Sequence, residues 1–172
     1  MRRSTATTEY LKECMGTALL ELMKTKPIEK ITIEEMTAKA DVGRSTYFRY
    51  FNSKEEVLAF KIVCLWNRYA QESMIGEFLS DLPAATRIFF QFCLNIREIN
   101  DLLYATGRKN VILDAYMQIM GTKDCQDDIQ GYYRSYITAY TVFGLMDAWI
   151  LRGYRETPEE LEQLVRDNQH DI

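Results

Sequence analysis

Residues 31–54, ITIEEMTAKADVGRSTYFRYFNSK, constrain what this chain can fold into more than any other stretch. Thr32 followed by Glu35 is a capping box, in which hydroxyl and carboxylate satisfy each other's backbone N–H groups and start a helix at about Ile33. Ile33, Met36 and Ala40 then share one face at spacings of three and four. Ala-Asp-Val-Gly at 40–43 interrupts the pattern, and Gly43 is an acceptable N-cap for a second helix, Arg44 to about Tyr50. On that second helix Tyr47 and Phe51 fall on the apolar side, while Arg44, Ser45 and Arg49 point outward. Two short helices joined by a tight turn, the second rich in arginine and hydroxyls, describe a helix-turn-helix of the kind that enters the DNA major groove.

The run Ala40-Asp41-Val42-Gly43-Arg44-Ser45-Thr46-Tyr47-Phe48-Arg49-Tyr50-Phe51-Asn52-Ser53-Lys54-Glu55-Glu56-Val57-Leu58 resembles the DNA-binding domain of the TetR/AcrR-type transcription regulators. The usual family pattern is Ala-Gly-Val-Ser-x-x-Thr-(Leu/Phe)-Tyr-x-(His/Tyr)-Phe-x-x-Lys-(Glu/Asp)-x-Leu. Three departures stand out. Asp41 replaces the turn glycine, which is tolerable because Asp visits the left-handed region more readily than most residues. Gly43 replaces the serine cap, at a cost of about a few tenths of a kcal/mol. Phe48 stands where the family usually has a phosphate-contacting tyrosine, leaving Tyr47 or Tyr50 to supply that contact. The resemblance implies double-stranded DNA as partner, read as a pseudo-palindrome by a homodimer. Thr32, Arg44, Ser45, Thr46, Tyr47, Arg49, Tyr50 and Lys54 are the DNA-binding candidates, with Lys54 expected on a phosphate.

The chain as a whole reads as all-α: a helix-turn-helix domain at 1–52 and a helical regulatory and dimerisation domain at 53–172. A first helix is expected from about Thr7 to Lys24, with Leu11, Met15, Ala18, Leu19 and Leu22 as its apolar stripe and Pro27 beyond its end. Arg2 and Arg3 before it are either a basic arm for phosphate or the minor groove, or an unpaired terminus. Ser53 caps a fourth helix that can run to about Met74, long enough to act as a lever. Ala84 to Ile99 is apolar nearly all round and predicts a helix buried on all sides, in which Gln91 and Asn95 form a buried amide pair. That pair either points into a ligand cavity or bonds a neighbouring helix. Short helices follow at about 101–106 and 110–120, closed by Gly107 and Gly121, and then a polar connection at 122–128.

Apolar residues wrap the whole circumference of the last long helix, about 127–151, and no later segment is large enough to cover its outer face. Thr157-Pro158-Glu159-Glu160 starts a final helix with a cap, a proline at the first position and acids in the first turn. The Trp149 to Glu160 arrangement also resembles the C-terminal end of one TetR-type subgroup. A dimer seam is therefore expected at Tyr136, Ala139, Gly144, Ala148, Trp149, Leu161 and Leu164. An apolar effector cavity is expected around Trp66, Tyr69, Phe89, Phe92, Tyr140 and Phe143, with Met117 as an adaptable wall and Gln91 and Asn95 as its polar groups.

Charge and composition narrow the alternatives. The net charge is −4, divided as +1 over residues 1–58 and −5 over 59–172, so the acidic surplus lies outside the helix-turn-helix. That balance also argues against a strongly anionic effector. The four cysteines, Cys14, Cys64, Cys93 and Cys125, lack metal-ligand spacing, and His170 is the one histidine. They read as reduced thiols in a cytoplasmic protein, with no cofactor or metal expected. The start, MRRSTATTEY, lacks the apolar core of a signal peptide, and no apolar run reaches the ~18 residues of a membrane span. Gly-x-Ser-x-Gly, phosphate-loop and dinucleotide signatures are missing, so no enzyme is expected. Three binding readings remain: an effector-released repressor, an activator or coactivator whose C-terminal domain binds another protein, and a helical interaction module with weak DNA binding.

Overall fold

A computed structural model describes residues 2–74, 82–121 and 127–168. Among them the chain forms nine α-helices and a single 3-10 turn: α1 (Arg2–Met23), the turn Ile28–Lys30, α2 (Ile33–Lys39), α3 (Arg44–Tyr50), α4 (Lys54–Glu72), α5 (Leu82–Asn95), α6 (Arg97–Ala105), α7 (Asn110–Ile119), α8 (Ile129–Leu151) and α9 (Pro158–Asn168). The fold is all-α, a helix-turn-helix followed by further helices, as the patterning predicts. The expected polar connection lies for the most part outside the described residues, as do Gly76, Cys125 and His170.

Helix starts follow their capping chemistry. Thr32 is extended and its hydroxyl accepts the Glu35 N–H, opening α2. Ser53 accepts the Glu56 N–H at 3.1 Å, and the Glu56 carboxylate reaches back to the Asn52 N–H at 2.8 Å. Thr157 and Glu160 exchange both bonds of a complete capping box before α9. Two boundaries differ from expectation. The first helix begins at Arg2, not Thr7; residues 2–6 contain no glycine or proline, and a helix once nucleated propagates through such a stretch. The single helix expected at 84–99 breaks at Ile96 into α5 and α6. There the Asn100 amide donates to the Cys93 carbonyl at 3.1 Å, satisfying one of the acceptors that the end of α5 leaves open.

Contacts group the chain into two compact units, Met1–Leu65 with Asp101–Ala115, and Trp66–Asn100 with Tyr116–Ile172. In the first, α1 packs on α2 and α2 on α3. Met15, Leu19, Ile31, Met36, Tyr47, Phe51, Val57, Leu58 and Ile62 are buried there. Lys61 of α4 reaches Glu13 of α1 at 2.8 Å. Arg108, just beyond α6, forks onto Glu55 at 2.6 Å and onto Glu29, tying the α6–α7 turn to the 3-10 turn and the start of α4.

In the second unit, α5 packs along α9, with Arg87 on Glu162 at 2.9 Å. Phe90, Phe92, Cys93, Tyr116, Ala139, Met146 and Trp149 are buried. The Tyr116 hydroxyl lies 2.8 Å from the Met146 sulfur, and Trp149 donates its indole N–H to the Glu156 carbonyl at 2.9 Å. Gly153 at φ 77° ends α8 in the left-handed region that glycine takes without strain.

Candidate nucleic-acid interface

The turn between α2 and α3 is made by Asp41, whose φ of 54° is left-handed. Its neighbour's N–H, that of Val42, bonds the Thr37 carbonyl at 2.9 Å and closes α2. Gly43 caps α3 through its backbone alone, its carbonyl accepting the Thr46 N–H at 2.9 Å. Asp41 and Gly43 thus form the turn and the start of α3 in this chain.

On α3, 100° per residue puts Arg44, Phe48, Ser45 and Arg49 in that order across an arc of about 140°. All four are exposed, and the opposite side carries Tyr47, 4% exposed. Arg44 lies 3.9 Å from Glu34 of α2, with both side chains largely in solvent. The arc therefore presents two guanidiniums, a hydroxyl and a ring to whatever approaches, which matches the donor and apolar chemistry that reads base edges.

Tyr47 is a core side chain, not a surface one. Its ring packs on Phe51 at 6.2 Å, and its phenol is pushed up chiefly by burial, then by Glu56 and Glu55. Its place among the DNA-binding candidates is corrected accordingly; the apolar reading of that position was the physically sufficient one. Tyr50 is 40% exposed at the end of α3, and Thr46 is half-buried. Thr32 serves α2 as a cap with its side chain still exposed. Lys54, expected on a phosphate, donates to the Ile28 carbonyl and to the Ile31 carbonyl at 2.8 Å. It thereby fastens α4 to the 3-10 turn. Arg2 and Arg3 lie in the helical backbone of α1, and their side chains fall outside the described residues.

Several residues of this surface were not legible from local pattern. Lys12 of α1 stands 3.9 Å from the Phe60 ring centre, 5.5 Å from Tyr50 and 5.8 Å from Phe51, a cation among three rings that holds the end of α3. A lysine at the edge of an apolar stripe gives no hint of such a cage. Lys26 bonds Glu35, and this bond holds the Glu35 carboxyl below the ordinary range.

The other expected sites divide. Trp66, Tyr69, Phe89 and Phe92 do cluster, with ring centres 5.1 Å apart for Trp66–Phe92 and 5.6 Å for Tyr69–Phe92. Phe92 is buried, while Trp66, Tyr69, Phe89, Met117 and Phe143 are half-buried. Gln91 and Asn95 are corrected: both are exposed, and they bond each other at 3.3 Å across one helical turn. Tyr140 is exposed as well, on the outer face of α8. The buried amide is Asn100, whose Oδ1 has no hydrogen-bond partner.

Of the seam candidates, Ala139 and Trp149 are corrected to the protein's own core, Trp149 meeting Phe90 edge-on at 4.9 Å. Gly144, Ala148 and Leu164 are exposed, and Tyr136 and Leu161 half-buried. Burial pushes the Cys93 thiol up to about 12 and the Cys64 thiol up to about 11, so neither is a thiolate near neutrality. Among the described residues no three His, Cys, Asp or Glu side chains converge as metal ligands, and no helix is long and apolar enough to cross a membrane.

Residues 17–59 match the family model described as bacterial regulatory proteins, tetR family. The match runs from the middle of α1 into the second turn of α4 and contains the whole arc on α3. No individually curated protein matches the chain. The matched segment is thus similar to the DNA-binding part of the tetR-family regulators, with α2–α3 as its helix-turn-helix, and supports a DNA-binding transcriptional regulator.

Proposed function

We propose that the chain is a homodimeric repressor that leaves its operator when a small, flat or apolar effector binds the helical part beyond residue 53. The observation that carries the DNA half of this reading is the exposed arc of Arg44, Phe48, Ser45 and Arg49 on α3. Residues 1–52 would form the DNA-binding domain and 53–172 the regulatory and dimerisation domain. In a symmetric dimer two such helices enter successive major grooves about 34–36 Å apart and read a pseudo-palindrome.

The outer face of α8 supports self-association. Ile129, Tyr133, Ile137, Tyr140, Gly144, Ala148 and Leu151 are all exposed, and they recur every eleven residues, from 129 to 140 to 151. An eleven-residue repeat is about 3.67 residues per turn, so the stripe stays on one side of a nearly straight helix. A Cβ added at Gly144 would meet nothing within 4 Å in this chain, which leaves that position open to a second copy's backbone.

For the effector, support comes from the half-buried aromatics Trp66, Tyr69 and Phe89, with the Trp66 ring centre 6.4 Å from that of Tyr69 and 6.1 Å from that of Phe89. The exposure of Gln91, Asn95 and Tyr140 favours a second reading, in which the effector is another protein and the regulator activates. Selection of bound duplexes from a random pool, followed by sedimentation and by melting in the presence of candidate metabolites, tests the three parts in turn. Enrichment of a pseudo-palindrome with a dimeric protein supports the repressor reading. A metabolite that raises the melting temperature and releases DNA supports a small effector, and no shift with any metabolite favours the protein partner.

A further inference from the structure

Phe48 is the one large apolar side chain on the outward arc of α3, 64% exposed, between Arg44 on one side and Ser45 and Arg49 on the other. The fold does not require the ring there, since Tyr47 and Phe51 already fill the inner side. Its base is nonetheless fixed, because the Tyr47 ring meets it edge-on at 5.2 Å and 82°. A phenyl ring has no donor for a phosphate oxygen and no donor or acceptor for a base edge. Its arginine neighbours suit a polyanion better than an apolar protein surface. Along the major groove the one apolar feature presented by base edges is the C5-methyl group of thymine.

We propose that Phe48 is a specificity-determining residue that selects a thymine by packing on its 5-methyl group. This rests on the reading that α3 enters the major groove. The two arginines take the polar edges and phosphates on either side, and the ring sets the register by the position of one methyl in each half-site.

The test uses the full chain and a duplex selected with it from a random pool. Each thymine in turn is replaced by deoxyuridine, which keeps every hydrogen-bonding group and removes only the methyl. Burial of one methyl-sized group corresponds to about a four-fold change in affinity. One thymine per half-site should therefore show about a four-fold loss, and both together about fifteen-fold. Phe48→Ala should bind the thymine and uracil duplexes equally, with unchanged melting temperature because the ring is exposed. If no thymine is sensitive to uracil, or if the loss persists in Phe48→Ala, the assignment is overturned while the groove-reading helix stands. If the pool enriches no sequence, the groove-reading helix falls, and this assignment with it.

Discussion

Replacing Lys54 by methionine separates two roles for a single ammonium group. Its Nζ donates to the Ile28 carbonyl and to the Ile31 carbonyl at 2.8 Å, and the side chains of both isoleucines are 2% exposed. The Ile28 carbonyl also accepts the Ile31 N–H of the 3-10 turn at 3.1 Å, so the ammonium is its second donor, while the Ile31 carbonyl lies just past the end of that turn. Hydrogen bonds to a charged group contribute about 1.5–3 kcal/mol, and methionine keeps most of the stem's packing, so the loss should fall in that range. For a chain of this size that is a melting temperature lower by about 3–12 °C.

A lysine whose main partner is phosphate behaves otherwise. Its loss would leave melting unchanged and flatten the slope of log affinity against log salt by about 0.9. Thermal melting of wild type and Lys54→Met, with DNA titrations at four salt concentrations, distinguishes the two. A slope change without a drop in melting temperature would refute the intramolecular role drawn from the structure.

Other outcomes follow from single contacts. Ile137→Glu with Tyr140→Glu alters two exposed positions of the α8 stripe, so sedimentation should show monomers while helicity by circular dichroism stays unchanged; a dimer that persists would move the seam elsewhere. Glu34→Gln removes the carboxylate 3.9 Å from Arg44 and should tighten DNA binding by up to about five-fold at low salt, an effect that should fade at high salt. Burial raises the Cys93 thiol to about 12, against about 8.5 in an unfolded chain. Folding therefore favours the protonated thiol: that contribution is full below pH 8.5 and is lost as pH rises toward 12. Urea unfolding between pH 8.5 and 10.5 should show a falling stability that is shallower in Cys93→Ala, by up to about 1.4 kcal/mol per pH unit.

What the sequence makes legible here is local. The Thr32–Glu35 pair and the cap at Thr157 announce two helix starts because the partners lie within one turn: Thr32 accepts the Glu35 N–H, and Thr157 accepts the Glu160 N–H, with the Glu160 carboxylate returning a second bond. Tyr47 and Phe51 on the inner side of α3, with Arg44 and Arg49 outside, follow from helical period alone. Long-range contacts leave no such trace. Arg108 finds Glu29 and Glu55 at separations of 79 and 53 residues, and nothing beside Gly107 distinguishes it from a solvated arginine.

The same limit explains the amide error. Gln91 and Asn95 stand in the most apolar run of the chain, yet helix α5 turns that edge outward, and the buried amide is Asn100 in the polar sequence Glu98-Ile99-Asn100-Asp101. Burial of a polar group depends on which neighbour covers it, and α9, the partner of α5, is more than 60 residues further along the chain. On α8 the circumference of apolar residues was legible, but the side facing inward was not. Ala139 and Trp149 went to the core, and the stripe through Ile137 and Gly144 stayed outside.

The central claim, that the outward arc of α3 reads bases, is tested most directly by one ratio. Affinities of wild type and Arg44→Ala are measured on the selected duplex and on a scrambled duplex of the same length, at one salt concentration. Arg44 is exposed at the start of α3, where a guanidinium can reach guanine O6 and N7, a contact worth about 1–3 kcal/mol. The account predicts that Arg44→Ala lowers affinity for the selected duplex by about 5- to 150-fold for each half-site while the scrambled duplex loses much less, so that the ratio of the two affinities falls by nearly the same factor. Equal losses on both duplexes would make Arg44 a phosphate contact and contradict the claim.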